Sequence, residues 1–303
     1  MTNDAAPNLP INPGPTTSQT QAAAKPRTRV LLGFFQPSDV PPYLQSVGAD
    51  VDSSAFIASH AVATAHVEQI GQRDETSVTP LAECPHLLDL RAEPTFGEHA
   101  ANAKSLQFAY VEVGKLVACQ PRVDWDHVER LAAQVPPVGD DDALLRFCLP
   151  LQRDGMAPQV QANFNPVTNT FGCIVDNPDV RICGPVQGGQ PGTGRGLVGF
   201  SIGPGLHQMS VVAFNGRHML NNGYHRAVAL VRAGHDRIPV IVVEAPALDL
   251  TPTARNGMFS PQIVLGSKPP RIADFTTPAA VDFTSHRMRL LFSVHAEVHP
   301  IPG

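Results

Sequence analysis

Residues Ser210 to Glu244 read SVVAFNGRHMLNNGYHRAVALVRAGHDRIPVIVVE, and the fold class follows from how this stretch divides. Val211 to Phe214 is a short apolar, β-branched run, and Asn215-Gly216 is the dipeptide that best accepts the two positive φ angles of a type I′ hairpin turn. A second short strand is expected from Arg217 to Leu220. Asn221 or Asn222 then caps a helix starting near Gly223, because an asparagine side chain can accept from amides that have no partner inside the helix. Ala227, Leu230 and Val231 share one helical face, Gly234 stops the helix, and Ile238 to Val243 reads as a buried strand. The order is strand, turn, strand, helix, strand.

Such a unit presents a helix N-terminus with a glycine in front of it. Backbone N–H groups and the helix dipole favour an anion there, phosphate above all. Arg226 lies one turn inside that end, and Tyr224 and His225 flank it as donors. Two readings of Arg226 stand side by side: an anion ligand, or an arginine bonded to a neighbouring carboxylate. His225 has three: acid or base near neutral pH, phosphate donor, or a residue that orients the loop.

The run Gly223-Tyr224-His225-Arg226-Ala227-Val228-Ala229 resembles the GxxRxxA box of the ParB N-terminal domain, and its Gly-x-His-Arg core is similar to the signature of sulfiredoxin. Upstream, Tyr110-Val-Glu-Val-Gly-Lys-Leu-Val-Ala-Cys-Gln-Pro-Arg122 resembles the strand, "KL" turn and "QPR" that open such a domain. The resemblance runs from about Phe108 to Glu244. It implies an α+β, ParB/sulfiredoxin-like mixed sheet with helices, carrying a long hairpin and glycine-rich insertion and extra N- and C-terminal segments. It also implies a nucleotide or small phosphorylated ligand, ATP or CTP with magnesium, held by Asn222, Gly223, Tyr224, His225 and Arg226 with Gln120 and Arg122 nearby. His225 and Arg226 are then the candidates for phosphoryl transfer or nucleotide hydrolysis, and Glu112 and Asn222 the nearest oxygens for the ion. Sulfiredoxin chemistry uses a cysteine where this chain has Tyr224, and no helix pair of the DNA-binding type follows Glu244. A scaffold that keeps the fold and acts by interaction is the alternative, and a DNA-associated partition protein a further one.

Charged residues are 16% of the 303, prolines number 30, about twice ordinary usage, and the net charge is −5. That describes a loop-rich globular chain without the basic footprint of nonspecific nucleic-acid binding. No apolar run approaches the ~20 residues of a membrane span, and no signal-peptide core opens the chain, so the expected location is the cytoplasm. Cys84, Cys119, Cys148, Cys173 and Cys183 form no CxxC pair, and their spacing fits neither a zinc site nor a disulfide framework.

Along the chain, residues 1–28 read as a disordered tail, 29–105 as a region of its own, 106–245 as the core with an insertion at 155–208, and 246–303 as an extended C-terminal segment. Val30 to Phe35 reads as a strand, and Tyr43 to Val47 and Phe56 to Ile70 as helices. Glu83 to Ala103 has no regular pattern. Asp124 is placed to cap a helix whose face is Trp125, Val128, Leu131 and Ala132, with Trp125 as a core anchor. Leu144 to Leu151 reads as a strand, and Gln159 to Cys183 as hairpins around Asn165 to Asn169. Gly184 to Gly205 holds nine glycines and is expected to be a flexible loop over the Gly223 site. Its Gly194-Arg-Gly196-Leu-Val-Gly199 fits GxGxxG without the strand, helix or acidic residue of a dinucleotide site. Met288 to Val298 is expected to be a final strand, on which His295, Glu297 and His299 would share one face as a two-histidine, one-carboxylate set; with Pro300 following at once, a solvated terminal strand is the favoured reading. His218 lies on the strand before the box, facing either the core or the site.

Overall fold

The computed structural model describes residues 25–285, apart from 47, 49–52, 94–95, 101–102, 152–159, 176–179, 191–194 and 205, together with 290–295. The chain is mixed α and β. It opens with β1 (Arg27–Val30), α1 (Val40–Ser46) and α2 (Ser53–Gln69). There follow β2 (Val78–Pro80), α3 (Pro85–Arg91), α4 (Gly97–Ala100), β3 (Ser105–Glu112), β4 (Arg122–Asp124) and two helices, α5 (Trp125–Ala132) and α6 (Asp141–Cys148). Two hairpins come next, β5 (Val160–Asn165) with β6 (Thr170–Val175) and β7 (Val180–Gln190) with β8 (Arg195–Pro204). The stretch quoted above supplies β9 (Ser210–Phe214), β10 (Arg217–Asn222), α7 (Tyr224–Arg232) and β11 (Arg237–Glu244). The chain closes with α8 (Pro261–Val264), β12 (Val281–Thr284) and β13 (Leu290–His295).

The central sheet runs β10-β9-β11-β3-β2. Asn215 and Gly216 both take positive φ, 48° and 75°, and turn β9 into antiparallel β10 with Phe214 opposite Arg217. α7 then carries the chain across, so that β11 returns parallel to β9 and antiparallel to β3. β11 sits in the middle with Ile238, Val240 and Ile241 fully buried, which is why its sequence is apolar without alternation. Gly234, at φ 84°, ends α7, and the next amide, His235 N–H, bonds back to the Leu230 carbonyl.

One buried cluster joins Leu31, Phe34, Leu87 and Leu90 to the central sheet, to α5, α6 and α7, and to Phe259, Ile272 and Phe275. The regions on either side of the sequence-defined core therefore pack into the same interior. Trp125 is 6% exposed, and the guanidiniums of Arg29 and Arg232 lie over its ring at 3.7 and 4.8 Å from the centroid. It is the core anchor expected of it. Among the described residues no helix is long and apolar enough to cross a membrane.

Several expectations are corrected. Arg27 and Thr28, assigned to the tail, lie in β1, whose ladders to β12 and β4 stop at Val30. Leu32 to Phe34 form a 3-10 turn in place of a strand. Gly33 in that turn lets α2 pack close, since a Cβ there would stand 2.4 Å from the Ala63 carbonyl oxygen. Leu144 to Leu151 is not a strand: Asp140 accepts from the Ala143 amide at 3.1 Å and starts α6. Pro85 opens a helix inside the stretch expected to be irregular. The glycine-rich segment forms a long antiparallel ladder of β7 with β8, from Val180 opposite Pro204 to Gln190 opposite Arg195, in place of a flexible loop. Leu248–Leu250, Pro252–Ala254 and Ile272–Thr276 are 3-10 turns where extended chain was expected. β13 pairs with β6 outside the central sheet, and Glu297 and His299 lie outside the described residues.

Candidate functional site

The start of α7 is built by a glycine and a tyrosine. Gly223 takes φ 97°, and a Cβ on it would stand 2.7 Å from the Met209 side chain, so both its conformation and its surroundings require glycine. Neither Asn221 nor Asn222 caps the helix as expected. Gly223 occupies that position, while the Asn222 amide donates to the Leu206 carbonyl and, at 2.9 Å, to the Gln208 carbonyl. The Asn221 amide donates to Ser210 Oγ at 3.1 Å, and its oxygen accepts from Arg255 at 2.7 Å.

Tyr224 is buried, and its hydroxyl accepts from the backbone amides of Cys119 and Gln120 at 3.0 and 3.1 Å while donating to the Leu220 carbonyl at 2.6 Å. Burial raises this phenol well above its ordinary pKa. The expected Gln120–Arg122 segment is thus brought to the box by the tyrosine ring. It continues a backbone clasp: Val117 N–H bonds to the His218 carbonyl and Leu220 N–H to the Val117 carbonyl, both at 2.9 Å. The Gln120 side chain turns inward to the Arg122 carbonyl, and Arg122 lies near enough to Tyr43 for its charge to act on that phenol.

His225 Nε2 accepts from the Asp124 amide at 3.0 Å, and its ring meets His127 edge-on with centroids 4.9 Å apart. Asp124 in turn accepts from His127 N–H at 2.8 Å and caps α5, so His225 joins the starts of two helices. Arg226 donates to the Phe147 carbonyl at 3.0 Å, to the Cys148 carbonyl at 3.4 Å and to the His207 carbonyl. Three backbone oxygens are thus gathered by this one guanidinium.

Glu112 does not meet Asn222. It lines a cavity of about 600 Å³ with Val231, Gly234 and Arg237, at the far end of α7, and pairs with Lys115 at 2.8 Å. That pairing and the Ser77 amide hold its carboxyl down, at about 2. A second cavity, of about 330 Å³, is lined by Glu75, Asn215, Gly216, Arg217 and Leu265; neither cavity is lined by any residue from Asn222 to Arg226. Among the described residues no group of three or more His, Cys, Asp or Glu side chains is placed to hold a metal ion. Cys119 and Cys148 are buried beside the box, and burial pushes both thiols up to about 12, far from the thiolate that nucleophilic chemistry needs.

Sequence reasoning missed a largely buried polar cluster around Arg217, the first residue of β10. Arg73 grips Asp274 through two bonds of 2.6 and 2.9 Å, and Arg217 and Arg271 converge on Glu75. His218 lies near this cluster: Glu75 is the charge that acts on it, and its Nδ1 is buried without a hydrogen-bond partner. The only local signal was Arg271-Ile-Ala-Asp274, where the Asp274 carboxylate accepts from the Arg271 amide at 2.7 Å. Against protein-family models, curated proteins and solved structures alike, the chain matches nothing.

Proposed function

We propose that the chain is a non-catalytic scaffold or interaction protein built on a ParB/sulfiredoxin-like core, in which the Asn222–Arg226 box has become architecture. One observation carries this reading: the polar side chains of the box all hold backbone from outside the box, and Asn222 and Arg226 share the 206–208 segment. Tyr224 takes the Cys119 and Gln120 amides, His225 the Asp124 amide, Asn222 the 206–208 segment, and Arg226 the end of α6. Groups so engaged must break several bonds before they can serve a ligand, and each broken bond to a charged or buried group costs about 1–3 kcal/mol.

A second reading keeps the box as the site of a nucleotide or phosphorylated small molecule, ATP or CTP with magnesium, with phosphoryl transfer or hydrolysis as its chemistry. The first turn of α7 contains no acidic residue, which leaves the positive end of the helix dipole without a local counter-charge and favours an anion there.

Thermal unfolding of wild type and Arg226→Ala, with ATP, CTP, GTP and inorganic phosphate, each with and without magnesium, separates the two. The scaffold reading expects Arg226→Ala to melt lower and no ligand to raise the wild-type transition. The ligand reading expects one nucleotide to raise it by mass action and the variant to lose that gain.

A further inference from the structure

The cluster beneath the β9–β10 turn is unbalanced. Of the side chains in ion-pair contact, three guanidiniums, Arg73, Arg217 and Arg271, share two carboxylates. Arg73 and Asp274 satisfy each other two-to-two. That leaves Arg217 and Arg271 on the single carboxylate of Glu75, and both reach for the same oxygen, Oε1. The other oxygen, Oε2, is buried with no hydrogen-bond partner, and so is Nε of Arg271. An acceptor and a charged donor unmatched in one cluster are costly, since buried polar groups are nearly always satisfied.

Arg271 is fixed. Its side chain is 5% exposed, and its remaining donors hold the Lys115 and Asp74 carbonyls. Arg217 is fixed as well, donating to the Gly266 carbonyl at 2.8 Å. Glu75 is the most exposed of the three: its side chain is one-third exposed, and it stands in the irregular chain before β2. Glu75 and Arg217 also line the 330 Å³ cavity, a volume at the lower end of small-molecule sites. Its other walls are Asn215, Gly216 and Leu265, which are polar and apolar in turn and carry no charge.

We propose that Arg217 and Arg271 form a binding site for a small-molecule carboxylate, which Glu75 occupies with its own carboxylate when the site is closed. The occupant defines the ligand class: a carboxylate oxygen accepts from Arg217 and lies 3.7 Å from the Arg271 guanidinium, so the site is matched to a carboxylate. A free carboxylate displaces Glu75 into the cavity mouth, and its short aliphatic body lies against Leu265.

The test is thermal unfolding of the full chain in increasing sodium succinate, at ionic strength matched with sodium chloride, for wild type, Glu75→Ala and Glu75→Ala with Arg217→Met. The expected result is a saturable rise in wild-type melting temperature and an apparent Kd about ten-fold tighter in Glu75→Ala. Adding Arg217→Met removes the rise. No rise in wild type, an unchanged Kd in Glu75→Ala, or a rise that survives Arg217→Met overturns the proposal. Inorganic phosphate binding as tightly as succinate overturns the carboxylate class. Should Glu75→Ala not fold, Glu75→Gln keeps the volume without the charge and is expected to tighten succinate binding relative to wild type; an equal or weaker Kd overturns the proposal.

Discussion

The hydroxyl of Tyr224 lies 3.1 Å from the backbone amide of Gln120, 104 residues earlier in the chain. The same oxygen takes the Cys119 amide and gives its proton to the Leu220 carbonyl, so one phenol ties the start of α7 to the end of β10 and to the segment leading into β4. Tyr224→Phe keeps the ring and its packing. It leaves two amides without an acceptor, and is expected to cost about 2–4 kcal/mol in urea unfolding. A variant within about 0.5 kcal/mol of wild type would show that the clasp is not held by this group.

Gly223→Ala should be costly for two separable reasons. A side chain at φ 97° is strained, and the added Cβ meets Met209 at 2.7 Å. A loss of about 2–4 kcal/mol is expected. Met209 is fully buried, so Met209→Ala destabilises by itself. The double variant is nevertheless expected to lose at least about 0.5 kcal/mol less than the sum of the singles, because the steric term vanishes once the methionine is gone. Strict additivity in unfolding measurements would contradict the contact.

Stability should fall in two steps as pH is lowered. Burial depresses the pKa of His99, despite its bond to Gln208 at 3.2 Å, and burial likewise depresses that of His218. The unfolded chain then takes up protons first, so these histidines contribute stability above about pH 6.5 that is lost as pH falls through their folded values. Glu112 acts further down. Its carboxyl, held at about 2 by Lys115 and the Ser77 amide, contributes stability above about pH 4.5 that disappears as pH falls towards 2. Urea midpoints at pH 7.5, 6 and 5 should descend, and His99→Gln should flatten that slope. A midpoint independent of pH over this range would contradict the assignment.

What the sequence disclosed was local. Asn215-Gly216 named its turn because few residue pairs accept two positive φ angles, Gly234 named a helix end for the same reason, and Asp124 named a cap that accepts its amide at 2.8 Å. The order from β9 to β11 followed from these. α6 was hidden because an eight-residue apolar run suits a strand or a helix, and Asp140 decides between them only once its capping role is recognised. β7 and β8 were hidden because their glycines oppose strand formation, and the ladder from Val180 to Pro204 overrides that preference.

The box residues were found, but not what they bind. The carbonyls that Arg226 holds at Phe147 and Cys148 are 79 and 78 residues away, and a backbone acceptor leaves no mark in a side-chain pattern. Arg217, Arg271 and Glu75 meet across 142 to 196 residues of chain for the same reason. Chemistry that depends on such meetings becomes readable only after folding.

The central claim is that Arg226 works for the fold, and it is tested most directly by urea unfolding of wild type and Arg226→Met with and without magnesium nucleotide. A loss of about 2–3 kcal/mol is expected in the variant, from guanidinium bonds to three backbone carbonyls, with a wild-type midpoint that nucleotide does not move. An Arg226→Met variant as stable as wild type, with a wild-type midpoint raised by ATP or CTP, would contradict it.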